Sequence, residues 1–346
     1  MDIVVMKFGG TSVRDQAMRY QAFKHIRREV SAGYKVVVVV SAMGRHGEPY
    51  ATDSLKELVT YHVSKREYDR LLSCGEILSS IVMSDFLQQQ GLNVTSLAPN
   101  EVGIRTDNNY TNANIITVEV DKMMNLFNDY DVLVAPGFLG TAEDGSITTL
   151  GRGGSDTSAV ALGGALKATY VDIYSDVEGV MTADPKLVKN ARVLEKISYD
   201  NLIALAARGA KVIHLKAVEL AKKNRVNLRL RSTSADHIGT YVVDEEVTTL
   251  SLAYKAGYTR YEILGGVVRP IKCNALVKHG DYWYAQAYDE EVVEQYLKEE
   301  GLSFEKRENY VQVTWMNQQR TPVELTFYVD AMKLEETLNF LHYNLI

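Results

Sequence analysis

The run Lys35-Val36-Val37-Val38-Val39-Val40 constrains the fold more than any other stretch of the chain. Five consecutive valines offer no polar side chain to either face of a strand, so the strand has to be covered on both sides. Ile3-Val4-Val5-Met6 and residues 131–135 and 170–174 share this texture. Between the first two runs, residues 13–30 place Met18, Phe23, Ile26 and Val30 at near-helical spacing. Buried aliphatic strands alternating with amphipathic helices predict a three-layer α/β/α domain around a mainly parallel sheet. Asp244-Glu245-Glu246 is a charged break, after which the texture changes. Strands rich in Tyr and Trp are expected at 249–256, 281–288, 310–315 and 323–329, with helices over 290–300 and 332–343. This reads as an α/β/α domain over residues 1–243 and a small α+β domain over 249–346.

Composition excludes some classes. The net charge is -6, from 44 acidic and 38 basic residues, which argues against nucleic acid or an anionic membrane as the main partner. Cys74 and Cys273 lie far apart with no metal-like spacing, as expected for a reducing cytosol. Met1 to Gly10 lacks the shape of a secretory signal, and the longest aliphatic run is too short to span a bilayer. A cytoplasmic enzyme is expected.

The strongest chemical signal is Lys7-Phe8-Gly9-Gly10-Thr11-Ser12, between the first strand and the first helix. Gly9 and Gly10 let backbone N–H groups approach phosphate oxygens, the helix start adds its positive end, and Lys7 supplies a full charge for a transferring phosphoryl group. A tight turn with an incidental lysine is the mundane alternative. A second cluster, Thr148 to Ser158, holds Gly151-Arg152-Gly153-Gly154-Ser155-Asp156 after the Gly-lined turn Pro136-Gly137-Phe138-Leu139-Gly140. Arg152 can clamp a carboxylate bidentately, and Asp156 can meet an ammonium group or position a lysine. Otherwise Ser155 or Asp156 is a helix cap and Arg152 a solvated charge. A third segment, Tyr174-Ser175-Asp176-Val177 through Met181-Thr182-Ala183-Asp184-Pro185, can surround a nucleotide, although such residues are also common in turns. Glu76, in Ser73-Cys74-Gly75-Glu76, can pair with an amino group or simply favour a helix dipole.

Taken in order, Lys7 to Ser12, Ser41-Ala42-Met43-Gly44, Gly75-Glu76, Gly151 to Ser158 and Gly209-Ala210-Lys211-Val212 resemble the aspartokinases of the amino-acid kinase superfamily, over roughly residues 1–240. The resemblance implies transfer of the γ-phosphoryl group of ATP to the side-chain carboxylate of L-aspartate. By that resemblance Lys7, Asp156 and Lys211 are catalytic, while Ser41, Thr52, Glu76 and Arg152 hold the substrate. Gly9, Gly10, Gly44, Ser175, Asp176, Met181 and Asp184 belong to the nucleotide side. Mg2+ is expected to arrive with ATP, without a dedicated protein cage. A carboxylate acceptor is already a nucleophile, so no general base is required.

Two departures stand out. His214-Leu215-Lys216 replaces the family's His-Pro-Arg, and Met181 stands where a tyrosine is common. The region after Thr249 is too short for the two ACT units of such enzymes. It is read as one remodelled ACT-like domain, expected to form a homodimer and to lack or alter the feedback site. The competing readings are an amino-acid kinase with another acceptor and a non-catalytic regulatory subunit.

Overall fold

The computed structural model describes residues 1–60, 62–210, 212–264, 271–318 and 323–346. The chain divides into two compact units. The first comprises Met1–Val180, Val193–Ala206 and Lys211–Glu246, and the second Met181–Arg192, Ala207–Ala210 and Val247–Ile346.

In the first unit the valine run does what its composition requires. Strands β1 (Ile3–Phe8) and β2 (Lys35–Val40) pair in parallel, and Val36 to Val40 are all 0% exposed. The other strands, in chain order, are β3 (Val94–Ser96), β4 (Ile104–Thr106), β5 (Ile115–Val118), β6 (Val132–Pro136), β7 (Leu139–Thr141), β8 (Ile147–Thr149), β9 (Tyr170–Ser175), β10 (Lys196–Ser198), β11 (Leu228–Ser232) and β12 (Thr240–Val243). The main sheet runs β10-β12-β11-β9-β1-β2-β6-β3, and every neighbouring pair is parallel except β11 with β12. The expected mainly parallel sheet is therefore present.

Alternation along the strands divides the core. Val4, Met6, Phe8, Val36, Val38, Val40 and Val134 pack with Phe23 and Ile26 of the helix Gln16–Ser31 and with Met83, Phe86 and Leu87 of the helix Lys65–Gln89. Val5, Val37, Val39 and Leu133 face the other way and are equally buried; the helix Gly154–Ala165 packs against β1, β2 and β9. Asp15 caps the first of these helices by accepting the Met18 N–H at 2.8 Å, and Ser64 caps the long one through the Glu67 N–H at 3.2 Å. A second sheet, β5-β4-β7-β8, was not anticipated from the sequence.

The second unit is an antiparallel sheet in the order β14-β15-β13-β16-β17, built from β13 (Thr249–Ile263), β14 (Val277–His279), β15 (Tyr282–Gln286), β16 (Phe304–Gln318) and β17 (Val323–Asp330). The helices Glu290–Glu299 and Leu334–Leu345 bury Val293, Leu297 and Leu338 in its apolar clusters. Tyr258, Tyr284 and Tyr310 form a separate aromatic cluster, in which Tyr284 stacks on Tyr328 at 4.0 Å between ring centroids. The ACT-like strands and helices were expected here, and β13 and β16 extend well beyond the expected segments. The residues searched for a first ACT helix, 265–274, lie partly outside the described residues.

Candidate active site

Parallel α/β sheets leave their ligand crevice beyond the carboxyl ends of the strands, and the chemistry-bearing residues of the first unit collect there. Lys7 is the penultimate residue of β1, Ser41 follows β2, Phe138 follows β6, and Arg152 follows β8. A cavity of about 440 Å³ is lined by Lys7, Ser41, Thr52, Glu76, Arg152 and Asp156, together with Lys56, Tyr68, Leu72, Thr111, Phe138, Thr149, Gly151, Gly153, Gly154 and Ser155.

The glycine loop owes its shape to a close approach. A Cβ on Gly10 would lie 2.5 Å from the Ala42 carbonyl oxygen and 2.6 Å from that of Gly44, so no side chain fits. The Gly44 N–H donates to the Gly10 carbonyl at 3.0 Å and the Ser41 N–H to that of Phe8 at 3.1 Å, which binds the two loops together. Gly9, Gly10 and Gly44 do not line the cavity.

Lys7 Nζ meets Asp156 Oδ1 at 2.7 Å, with both side chains only 12% exposed. Asp156 lies in the first turn of the helix Gly154–Ala165, where the helix dipole favours a negative charge. Its other oxygen accepts the His214 N–H at 3.4 Å. His214 approaches so closely that a Cβ on Gly153, whose φ is +70°, would fall 2.1 Å from the imidazole. Lys216, at the position of the family's arginine, donates to Asn112 Oδ1 at 2.7 Å.

Glu76 projects from the long helix and is 2% exposed. Oε1 accepts the Ala42 N–H at 3.1 Å, while Oε2 has no hydrogen-bond partner among the described residues. Burial, only partly opposed by the Ala42 N–H, pushes its carboxyl up to about 8. Arg152 has no ion pair with a described residue, although its charge helps to lower the carboxyl of Asp53. The principal cause there is Lys56, whose ammonium donates to Asp53 at 2.8 Å. The cavity thus presents a guanidinium with no ion pair among the described residues, one half-satisfied carboxyl and two lysines, Lys7 and Lys56, each held by an aspartate.

Two non-glycine residues in the wall, Thr111 (φ +74°) and Phe138 (φ +68°), adopt left-handed backbone conformations. Such strain persists only where surrounding contacts enforce it, and it gathers at functional sites. At Phe138 the enforcing contact is the N–H donated to Ser158 Oγ at 3.0 Å.

Of the nucleotide-side residues, Ser175 ends β9 and donates to the Val177 carbonyl at 3.3 Å. Asp176 pairs with Arg45 at 2.6 Å. Neither lines the cavity. Met181 and Asp184 belong to the second unit, where Asp184 accepts the Tyr254 hydroxyl at 3.0 Å. Lys211 lies outside the described residues. Sequence reasoning passed over Lys56, Tyr68 and Thr111 in the wall, and Asp69 behind it. Asp69 is an acidic residue seven positions before Glu76 on the same helical face, but that spacing alone does not mark it, because its partners are remote in sequence.

Comparison with known proteins agrees with this geometry. The amino acid kinase family model matches residues 2–232. The chain belongs to the amino acid kinase family. This family member is 49% identical over 245 residues to aspartokinase 1 of Bacillus subtilis, a match covering 70% of this chain and 61% of that protein. It is 41% identical over 273 residues to an aspartokinase of Geobacillus stearothermophilus, covering 77% and 66%. The chain therefore spans 61% and 66% of the length of these two curated relatives. Among solved structures, Escherichia coli aspartokinase III in complex with aspartate and ADP superposes with a TM-score of 0.74 at 21% identity, covering 99% of this chain and 100% of that one. Aspartate kinase from Synechocystis gives 0.62 at 26% identity, covering 99% and 69%. The first likeness speaks for the fold alone.

Proposed function

We propose that this amino acid kinase is an aspartate kinase, which moves the γ-phosphoryl group of ATP to the side-chain carboxylate of L-aspartate and yields 4-phospho-L-aspartate and ADP. The observation that carries the reading is the joint presentation, in one cavity, of the unpaired Arg152 guanidinium and the half-satisfied Glu76 carboxyl. An α-carboxylate meets Arg152 and an ammonium meets Glu76 Oε2, which leaves the acceptor's side-chain carboxylate to be directed toward Lys7. The identities to named aspartokinases support the same acceptor.

The chemistry asks for little more than alignment and charge neutralisation. The attacking carboxylate oxygen bonds to the γ-phosphorus as the bond to the β–γ bridging oxygen breaks, and ADP leaves with that electron pair. Lys7 sits where it can offset the negative charge shared among the transferring oxygens, and Asp156 fixes its ammonium. Ser41 and Thr52 supply hydroxyls to the acceptor side of the cavity. Among the described residues no three His, Cys, Asp or Glu side chains gather as a metal cage. Mg2+ is taken to come bound to the nucleotide phosphates and water, where it would neutralise phosphate charge. The nucleotide-side roles of Gly9, Gly10, Gly44, Ser175, Asp176, Met181, Asp184 and Lys211, a homodimer through residues 249–346 and a cytoplasmic location belong to the same proposal.

The test is hydroxamate formation. Purified chain with Mg-ATP and hydroxylamine is expected to yield aspartyl hydroxamate from L-aspartate and none from L-glutamate. ATP binding without product from either amino acid would contradict the reading.

A further inference from the structure

Asp69 lies two helical turns before Glu76 on the helix Lys65–Gln89, and no step of the transfer uses it. Its side chain is fully buried, yet its partners among the described residues are all neutral. The Thr111 N–H reaches its two oxygens at 3.1 and 3.0 Å, the Thr149 N–H donates to Oδ2 at 2.9 Å, and the Thr149 hydroxyl donates to Oδ1 at 2.8 Å. Burial raises its carboxyl, while these donors pull the other way.

The segments it holds are the walls of the cavity. Thr111 is one of the two strained wall residues, and Asp69 grips the N–H of that residue. Thr149 is the last residue of β8 and leads through Leu150 and Gly151 to Arg152; its carbonyl also accepts the Ala113 N–H at 2.9 Å. Gly151 packs so closely on Asn112 that a Cβ there would fall 2.7 Å from Oδ1, the atom that Lys216 holds from the other side. One carboxylate therefore joins three segments distant in sequence, which carry Glu76, Thr111 and Arg152 to a single cavity.

The geometry points to Asp69 as a positioning residue for the acceptor: it sets the separation of Arg152 and Glu76 by clamping the Thr111 turn and the base of the Gly151 loop to the helix that bears Glu76. This deepens the acceptor reading above and rests on it. A buried carboxylate with only a stabilising role would lower the amount of folded, active protein and leave both KM values unchanged. A positioning role is selective. Displacing one recognition group by a fraction of an ångström weakens the acceptor and spares the nucleotide.

The experiment measures KM for aspartate and for ATP separately, with aspartate affinity by calorimetry, on the full chain and on Asp69→Asn, Thr149→Val and Thr149→Ser. Asp69→Asn keeps the volume and presents an amide donor where N–H groups require acceptors. It is expected to raise KM and Kd for aspartate by ~10-fold or more, with KM for ATP within about 2-fold. Thr149→Val, which loses only the hydroxyl bond, is expected to shift aspartate in the same direction by less, and Thr149→Ser to recover most of that loss. Equal changes in both KM values, or an unchanged aspartate KM, would overturn the assignment. If Asp69→Asn fails to fold, the Thr149 pair decides by the same criteria. A wild-type chain that binds aspartate without turning it over sinks the kinase reading alone, and the variants' affinities still judge Asp69. A wild-type chain that neither binds nor phosphorylates aspartate overturns both.

Discussion

Asp172 and Glu76 are both carboxyl groups sealed inside the first unit, and the protein treats them in opposite ways. Asp172, in β9, is 0% exposed and receives the Arg229 guanidinium in a fork at 2.5 and 2.7 Å, with Arg231 adding a third contact at 3.1 Å. Arg229 also lies 3.4 Å from the centroid of the Tyr170 ring, whose hydroxyl donates to Glu29 at 2.6 Å. Among the described residues Glu76 has one partner, the Ala42 backbone N–H. A fully paired buried charge holds the fold, whereas a half-paired one is costly to the empty protein and becomes useful only when a cation arrives. The cavity also has the complementary feature, Arg152, an arginine with no ion pair to a described residue. Structural and binding charges are thus told apart by which of them the protein itself completes.

The largest break in this comparison should come from Lys7→Ala, which removes the charge that faces the transferring group. Its turnover is expected to fall by ~10³-fold or more with folding retained, read by hydroxamate formation and urea unfolding. Asp172→Asn should do the reverse. Two buried guanidinium groups would lose their counter-charge, at a cost of about 3–5 kcal/mol in urea unfolding, while KM for aspartate among the molecules that remain folded stays unchanged. Glu76→Gln should raise KM for aspartate by ~10- to 100-fold and leave stability at pH 6 nearly untouched, because the amide resembles the protonated carboxyl.

The pH dependence sharpens the contrast. The folded-state value of Glu76, about 8, lies above its ordinary value of 4.5. The folded state therefore binds the proton more tightly than the unfolded chain does. Its contribution to stability is full below the ordinary value and is lost as pH rises toward about 8, with a limiting slope of about 1.4 kcal/mol per pH unit. Unfolding curves between pH 5.5 and 8 should show wild type losing more stability than Glu76→Gln, and saturating aspartate should shrink the difference. The smallest effect is Tyr170→Phe, which removes one hydrogen bond to Glu29 and should cost about 1 kcal/mol in unfolding without altering either KM.

What the sequence disclosed depends on how local each cause is. The strands around Val36–Val40 were legible because burial on both faces leaves a continuous β-branched signature. That Lys7, Arg152 and Asp156 would gather in one cavity was legible because charged residues beside glycines at strand ends or helix starts are few, whereas Glu76, in mid-helix, stood out only through the resemblance to aspartokinases. Asp69 was hidden because its meaning lies in Thr111 and Thr149, 42 and 80 residues away. The left-handed turn at Thr111 was equally hidden, since threonine is a poor signal for it. β14, a three-residue exposed strand, has no burial pattern to read, and β13 outran its expected end at Ala256 because an irregularity at Gly257 breaks the alternation.

The central claim is that Glu76 is kept for the acceptor's ammonium. Calorimetric titration of L-aspartate at pH 7, in two buffers of different ionisation enthalpy, tests it most directly. Wild type is expected to release close to one proton per aspartate bound, as the carboxyl ionises against the incoming ammonium, and Glu76→Gln close to none. Equal proton release by the two proteins would contradict the account.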